Sequence, residues 1–152
     1  MTEQAVIKKI LIPADLNPDI PESIPYAIAL SEWTGARIYI LLTYRLIDHD
    51  DEHSDTKKIS IREQLDKLAK KKVDLIRSQF PSTCNECCEF LIEIGFLSDR
   101  IRVNIRKHQI DLVVMNQSMG KILELGHELD KEVSLTSFDC PVLYVPQNKI
   151  AV

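Results

Sequence analysis

Five strand-length runs in this chain are rich in β-branched and aliphatic residues, with little polar alternation: residues 6–14, 36–43, 87–94, 110–115 and 142–145. A strand with one wet face alternates apolar and polar side chains. These runs do not, so both of their faces must be covered. Helix-period segments lie between them. Strands alternating with helices predict right-handed crossovers and a parallel sheet with helices on both faces, a doubly wound α/β fold.

The intervening segments carry their own signals. Ile61, Leu65, Leu68, Leu75 and Ile76 recur near every third or fourth position, which predicts a long helix with one apolar face ending before Pro81. Ser98 is placed to cap a short helix carrying Ile101 and Ile105, with Lys107 and His108 in its last turn, where the helix dipole favours cations. Ile122, Leu125, Leu129 and Val133 form a similar face ahead of Cys140-Pro141. The first helix is less regular, because Pro18, Pro21 and Pro25 crowd its start. Either Asp19 caps a helix kinked near Pro25, or an irregular turn runs on and Ser23 caps a shorter helix. Gly35 reads as its C-terminal stop. Residues 44–56 show no periodicity, and their acidic run from Asp48 to Asp55 predicts a solvated excursion.

Composition narrows the function classes. The 152 residues predict a single domain spanning 1–152, with 45% hydrophobic and 28% charged residues, enough for a sizeable core. A net charge of −4 offers no basic stripe for nucleic acid. The clusters Lys70-Lys71-Lys72 and Arg100 to Lys107 read as solvated helix faces. No apolar run is long enough to span a membrane, and the first residues lack a secretory pattern. Four cysteines without an export signal suggest free thiols in a reducing cytoplasm.

Several runs, in order, carry a family likeness. Lys9-Ile10-Leu11-Ile12-Pro13-Ala14-Asp15, a helix closing at Gly35-Ala36 and the strand from Arg37 to Leu42 resemble the opening of the universal stress proteins, the UspA-like family. So do Glu93-Ile94-Gly95 before Ser98-Asp99-Arg100-Ile101, the strand Asp111 to Met115, and the ending Cys140-Pro141-Val142-Leu143-Tyr144-Val145-Pro146. The likeness covers essentially the whole chain; no single motif in it is specific, but their order and spacing are. It implies a five-stranded parallel sheet in the order 3-2-1-4-5. It also implies a cytoplasmic homodimer joined through the last strand, Val142, Leu143, Tyr144 and Val145, an apolar edge otherwise exposed.

The resemblance further implies an adenine nucleotide crevice formed by Pro13, Ala14, Asp15, Met115 and Asn116, with Asp15 accepting from ribose hydroxyls. ATP or another adenine nucleotide is the one cofactor it suggests. Asp15 equally reads as a cap on the irregular helix start, and the two readings stand level. On the phosphate side the chain departs from the family pattern. Asn116 stands in place of the first glycine, Met119 in place of the second, and Glu128-Leu129-Asp130 covers the region of a later Gly-Ser pair. Glycines there let backbone N–H groups approach phosphate oxygens, and two added carboxylates oppose a triphosphate. A slipped register through Gly120 and Gly126 is the alternative. The pattern resembles the subgroup lacking the glycine-rich motif.

Other constellations are weak. Cys84-Asn85-Glu86-Cys87-Cys88 has no second ligand pair for zinc, and Cys88 reads as core. His49 and His53 lie among carboxylates in the unpatterned segment, while His108 and His127 lack an acid or nucleophile partner. No metal site and no catalytic residue is predicted, nor any nucleophile elbow, Walker loop or paired catalytic carboxylates. The sequence therefore predicts a non-catalytic cytoplasmic stress-response dimer acting through protein contacts, its partner unidentified, with weak or absent ATP binding. An adenine-nucleotide switch is the alternative, and a slow ATPase stands a distant third.

Overall fold

The computed structural model describes residues 6–44, 55–81, 87–121, 123 and 138–146. Its elements run β1 (Lys9–Ala14), α1 (Ser23–Thr34), β2 (Arg37–Tyr44), α2 (Asp55–Arg77), β3 (Cys88–Ile94), α3 (Leu97–His108), β4 (Leu112–Asn116) and β5 (Val142–Val145). All strand pairs are parallel, and the sheet order is β3-β2-β1-β4-β5, as the sequence and its resemblance implied. From β1 the chain winds outward to β3, then crosses to β4 and winds the other way. Strands 1 and 4 therefore flank the topological switch point, where open α/β sheets form their crevices.

Each face of the sheet has its own core. On one face Ile10, Ile12, Ile38, Ile40 and Leu42 pack with Ile24 and Ala27 of α1 and Ile76 of α2. On the other, Leu11, Leu41, Val113 and Met115 pack with Ile101 and Ile105 of α3 and with Met119 and Leu123. The alternation of β1 residues between the two clusters is the strand period of two, with both faces apolar because both are covered. At the other end of the sheet, the Asp111 carboxylate accepts from the N–H groups of Lys8 (2.8 Å) and Lys9 (3.0 Å), fixing where β4 meets β1.

The helices correct several sequence expectations. Helix α1 starts after an irregular turn, so the shorter form holds, but its cap residue is Glu22 and no side chain of its own bonds the first turn. Ser23 is the first helical residue, and neither Asp19 nor Ser23 caps it. Gly35 does end α1, at φ 73°, with its N–H on Ser31 O at 2.7 Å. Helix α3 begins at Leu97 after Phe96, so Ser98 is inside the helix rather than its cap. Its last turn holds Arg106, Lys107 and His108, the cationic end the dipole favours.

The buried stripe of α2 is not the one expected. Ala69, Lys72 and Ile76 are buried with Val73 packed beside them, whereas Ile61, Leu68 and Leu75 are exposed. The buried face is turned from the expected one toward Ala69 and Val73, and Lys72 and Ile76 lie where the two overlap. Residues 45–54, with His49 and His53, lie outside the described residues; Tyr44 is buried at the end of β2, and residues 55–56 already belong to α2. The apolar face assigned to Ile122, Leu125, Leu129 and Val133 also lies outside them.

Candidate functional site

At the switch point, Pro13, Ala14 and Asp15 from the end of β1 meet Asn116 from the end of β4, with Pro21, Ser118 and Met119 completing a crevice. Four of the five residues singled out from the sequence thus line one opening. The fifth, Met115, is wholly buried and packs beneath it. Among the described residues the crevice encloses ≈ 30 Å³. That is room for about two waters, far below the several hundred Å³ usual for a bound organic ligand.

Several polar groups around this opening are engaged with one another, while the buried Ser23 hydroxyl beside it has no partner among the described residues. Asp15 Oδ1 accepts from the Asn17 N–H at 3.0 Å, and Oδ2 accepts from Asn17 Nδ2 at 3.2 Å. The carboxylate thereby closes a turn within the loop after β1, the local bonding that short acidic side chains favour. Lys72 Nζ, from α2, stands 3.7 Å from Asp15 Oδ1. Burial lowers the Lys72 pKa from its ordinary value, and the charge and hydrogen bonding of Asp15, with the charge of Asp19, act against that.

The start of α1 is an anion site only if its first N–H groups are free. The Ser23 N–H donates to Asn116 Oδ1 at 2.9 Å, and the Ile24 N–H to Pro21 O at 3.0 Å. Pro25 has no N–H, and the Tyr26 N–H reaches Glu22 O at 3.5 Å. Asn116 therefore caps a helix some ninety residues away in sequence, supplying the oxygen that Glu22 does not. Sequence reasoning identified Asn116 but missed this role, since nothing local to either partner encodes it.

On the phosphate side, residues 117–121 turn helical directly after β4. Met119 is 7% exposed and belongs to the core with Met115 and Phe138. Gly120 has no positive φ. What it accommodates is an aromatic ring: a Cβ there would stand 2.6 Å from Tyr144 Cε1 of β5. The slipped-register idea gave Gly120 a phosphate to approach; the residue it approaches is Tyr144. Gly126, Glu128, Leu129 and Asp130 lie outside the described residues.

The remaining candidates separate. Cys88 is half-buried against the β-sheet core, and burial pushes its thiol up to about 12, which keeps it protonated and unreactive. Cys140 is free and also raised by burial. Cys87 is disulfide-bonded, in keeping with its place between a helix and a strand where it could oxidise, and against the general expectation of free thiols; Cys84 lies outside the described residues. His108 stacks on Tyr39, with ring centroids 4.7 Å apart. Among the described residues no group of three His, Cys, Asp or Glu side chains could hold a metal ion. None of the helices there is long and apolar enough to cross a membrane.

No family model and no curated protein sequence matches this chain. Solved structures do. It is similar to the hypothetical protein MJ0577, at 16% identity, TM-score 0.67, over 94% of this chain and 98% of that one. It is similar to the universal stress protein UspA from Lactobacillus plantarum, at 21% identity, TM-score 0.63, over 93% and 99%. A universal stress protein in complex with cAMP superimposes at 13% identity, TM-score 0.57, over 93% and 98%. The chain has the universal stress protein fold.

Proposed function

We propose that this chain, built on the universal stress protein fold, is a non-catalytic cytoplasmic stress-response protein. In this reading it acts through protein contacts as a homodimer paired along β5 and binds adenine nucleotides weakly or not at all. The observation that carries the nucleotide part is the bonding of the crevice. The first-turn N–H groups of α1 are spent on Asn116, Pro21 and Glu22, and Asp15 is spent on Asn17. A nucleotide would have to displace these internal bonds before making its own, which offsets part of what its own hydrogen bonds contribute.

The dimer is supported by the character of β5. It is the edge strand beside β4, and its Leu143 (39%) and Tyr144 (42%) are large apolar side chains left exposed. An uncovered edge of that kind is a template for further pairing, and a second copy would cover it. The cytoplasmic placement rests on the likeness to the stress proteins; the disulfide at Cys87 lends the thiol argument no support.

The second reading, an adenine-nucleotide switch, draws on the neighbour solved with cAMP and on the retained Pro13-Ala14-Asp15 run. Thermal melting separates the two. A ligand at about a hundred times its Kd stabilises by about 2.7 kcal/mol, which for a domain of this size is a shift of about 5–10 °C. Millimolar ATP with Mg²⁺ is expected to leave the melting temperature unchanged. A shift of that size, abolished by Asp15→Ala, would establish the switch instead.

A further inference from the structure

Lys72 is the middle of the puzzle on α2. It follows two exposed lysines, yet it is 2% exposed itself. A lysine ammonium carries three protons and is expensive to bury unless each finds an oxygen. Lys72 Nζ faces three oxygens, all from the loop between β1 and α1. It donates to the carbonyl of Asn17 at 2.5 Å and to the carbonyl of Asp19, and the third oxygen, Asp15 Oδ1, is an ion-pair partner at 3.7 Å. Two of the three are main-chain oxygens, so the ammonium fixes the path of the backbone and not merely a side chain. Pro18 and Pro21 deprive the same loop of N–H groups that could have tied it elsewhere. The loop begins at Asp15 and ends at Pro21, and both residues line the crevice.

We propose that Lys72 is a positioning residue for the crevice: its ammonium latches residues 15–20 from α2 and so holds one wall of the opening in place. This deepens the reading above, because it concerns the same site in its narrow form. Helix α2 contributes no residue to the crevice lining, yet it decides where that lining stands. The bland alternative is that the Lys72 stem merely fills space between α2 and the sheet.

Amide hydrogen exchange on the full chain, without nucleotide, separates the two. Lys72→Met keeps an unbranched apolar stem and removes the ammonium. It is expected to speed exchange at Asn17, whose N–H donates to Asp15 Oδ1 in the latched loop, by about tenfold or more, equivalent to about 1.4 kcal/mol of local opening, while β1 and β2 are unchanged. Lys72→Arg keeps the charge but presents a planar fork to three convergent oxygens, and should loosen the same loop by a smaller factor. Unchanged loop exchange in Lys72→Met, or equal acceleration throughout the fold, would overturn the latch. Should Lys72→Met fail to fold, Lys72→Arg decides: a loop as protected as in the unsubstituted chain refutes the proposal. Nucleotide titration of the unsubstituted protein tests the function reading separately, since the latch is read from the nucleotide-free chain.

Discussion

Replacing Gly120 by alanine places a methyl group where the Tyr144 ring already stands. The new Cβ would lie 2.6 Å from Cε1 and 3.1 Å from Cδ1 of that ring. Carbon atoms pack best at about 3.5–4.0 Å, so the ring or the helical turn must give by about 1 Å. Forcing a methyl into a filled site costs about 1–3 kcal/mol. Against this, alanine is favoured over glycine in a helix by about 1 kcal/mol, and Gly120 has no positive φ that an alanine would strain. The net expectation is a loss of up to about 2 kcal/mol. Because Tyr144 is 42% exposed and can swing outward, the lower half of that range is favoured. In a Tyr144→Ala background the obstacle is absent, and Gly120→Ala is expected to stabilise by about 0.5–1 kcal/mol. Urea unfolding of the four chains of this double-mutant cycle reads the difference, a coupling of about 0.5–2 kcal/mol. A coupling near zero, with Gly120→Ala equally harmful in both backgrounds, would refute the packing account. It would return Gly120 to the role of a backbone that something else must approach.

Three further predictions use the same structure. Asn116→Ala leaves the Ser23 N–H without its acceptor and is expected to cost about 1–2 kcal/mol by chemical denaturation, whereas Asn116→Asp keeps an oxygen at a helix start and should cost little; equal losses would contradict the capping role. Tyr44 donates to Asp66 Oδ1 at 2.5 Å, and that bond, then burial, then the Asp66 charge raise its pKa above 10.0. A raised folded pKa means this contribution is complete below pH 10 and lost as pH climbs through the folded value. Tyr44→Phe should therefore cost about 1.5 kcal/mol at neutral pH and flatten the alkaline decline; parallel declines in the two proteins would be the contrary result. If β5 mediates dimerisation, Leu143→Glu shifts sedimentation at micromolar concentration toward monomer. A monomer before substitution would end that reading.

The fold was largely legible because the strands stand out as aliphatic-rich runs, buried on both faces in the centre of the sheet. The edge strands β3 and β5 keep that composition although Ile92, Ile94, Leu143 and Tyr144 are exposed. The β5 bounds agree with the sequence reading residue for residue, and the β3 bounds to within one. What stayed hidden depends on partners distant in sequence. Lys72 reads as a surface residue beside Lys70 and Lys71, since its acceptors are backbone carbonyls on a loop some fifty residues away. Asn116 reads as a lost glycine, and only the folded chain shows that it caps α1. Ser98 matched a capping pattern, but the cap position falls two residues earlier, at Phe96, whose side chain makes no capping bond. The crevice residues came from the family resemblance, with which the switch-point topology agrees; their mutual bonding did not, because local pattern carries no record of it.

The central proposal is that the first N–H groups of α1 and the Asp15 carboxylate, beside the crevice between β1 and β4, are already bonded within the chain, so that a nucleotide binds weakly or not at all. An amide NMR titration tests this at the site itself. With millimolar ATP and Mg²⁺, the resonances of Ala14, Asp15, Asn17, Ser23 and Asn116 are expected to stay where they are in the free protein. Saturable shifts confined to those residues would contradict it, and would mean that a nucleotide displaces Asn116 from Ser23.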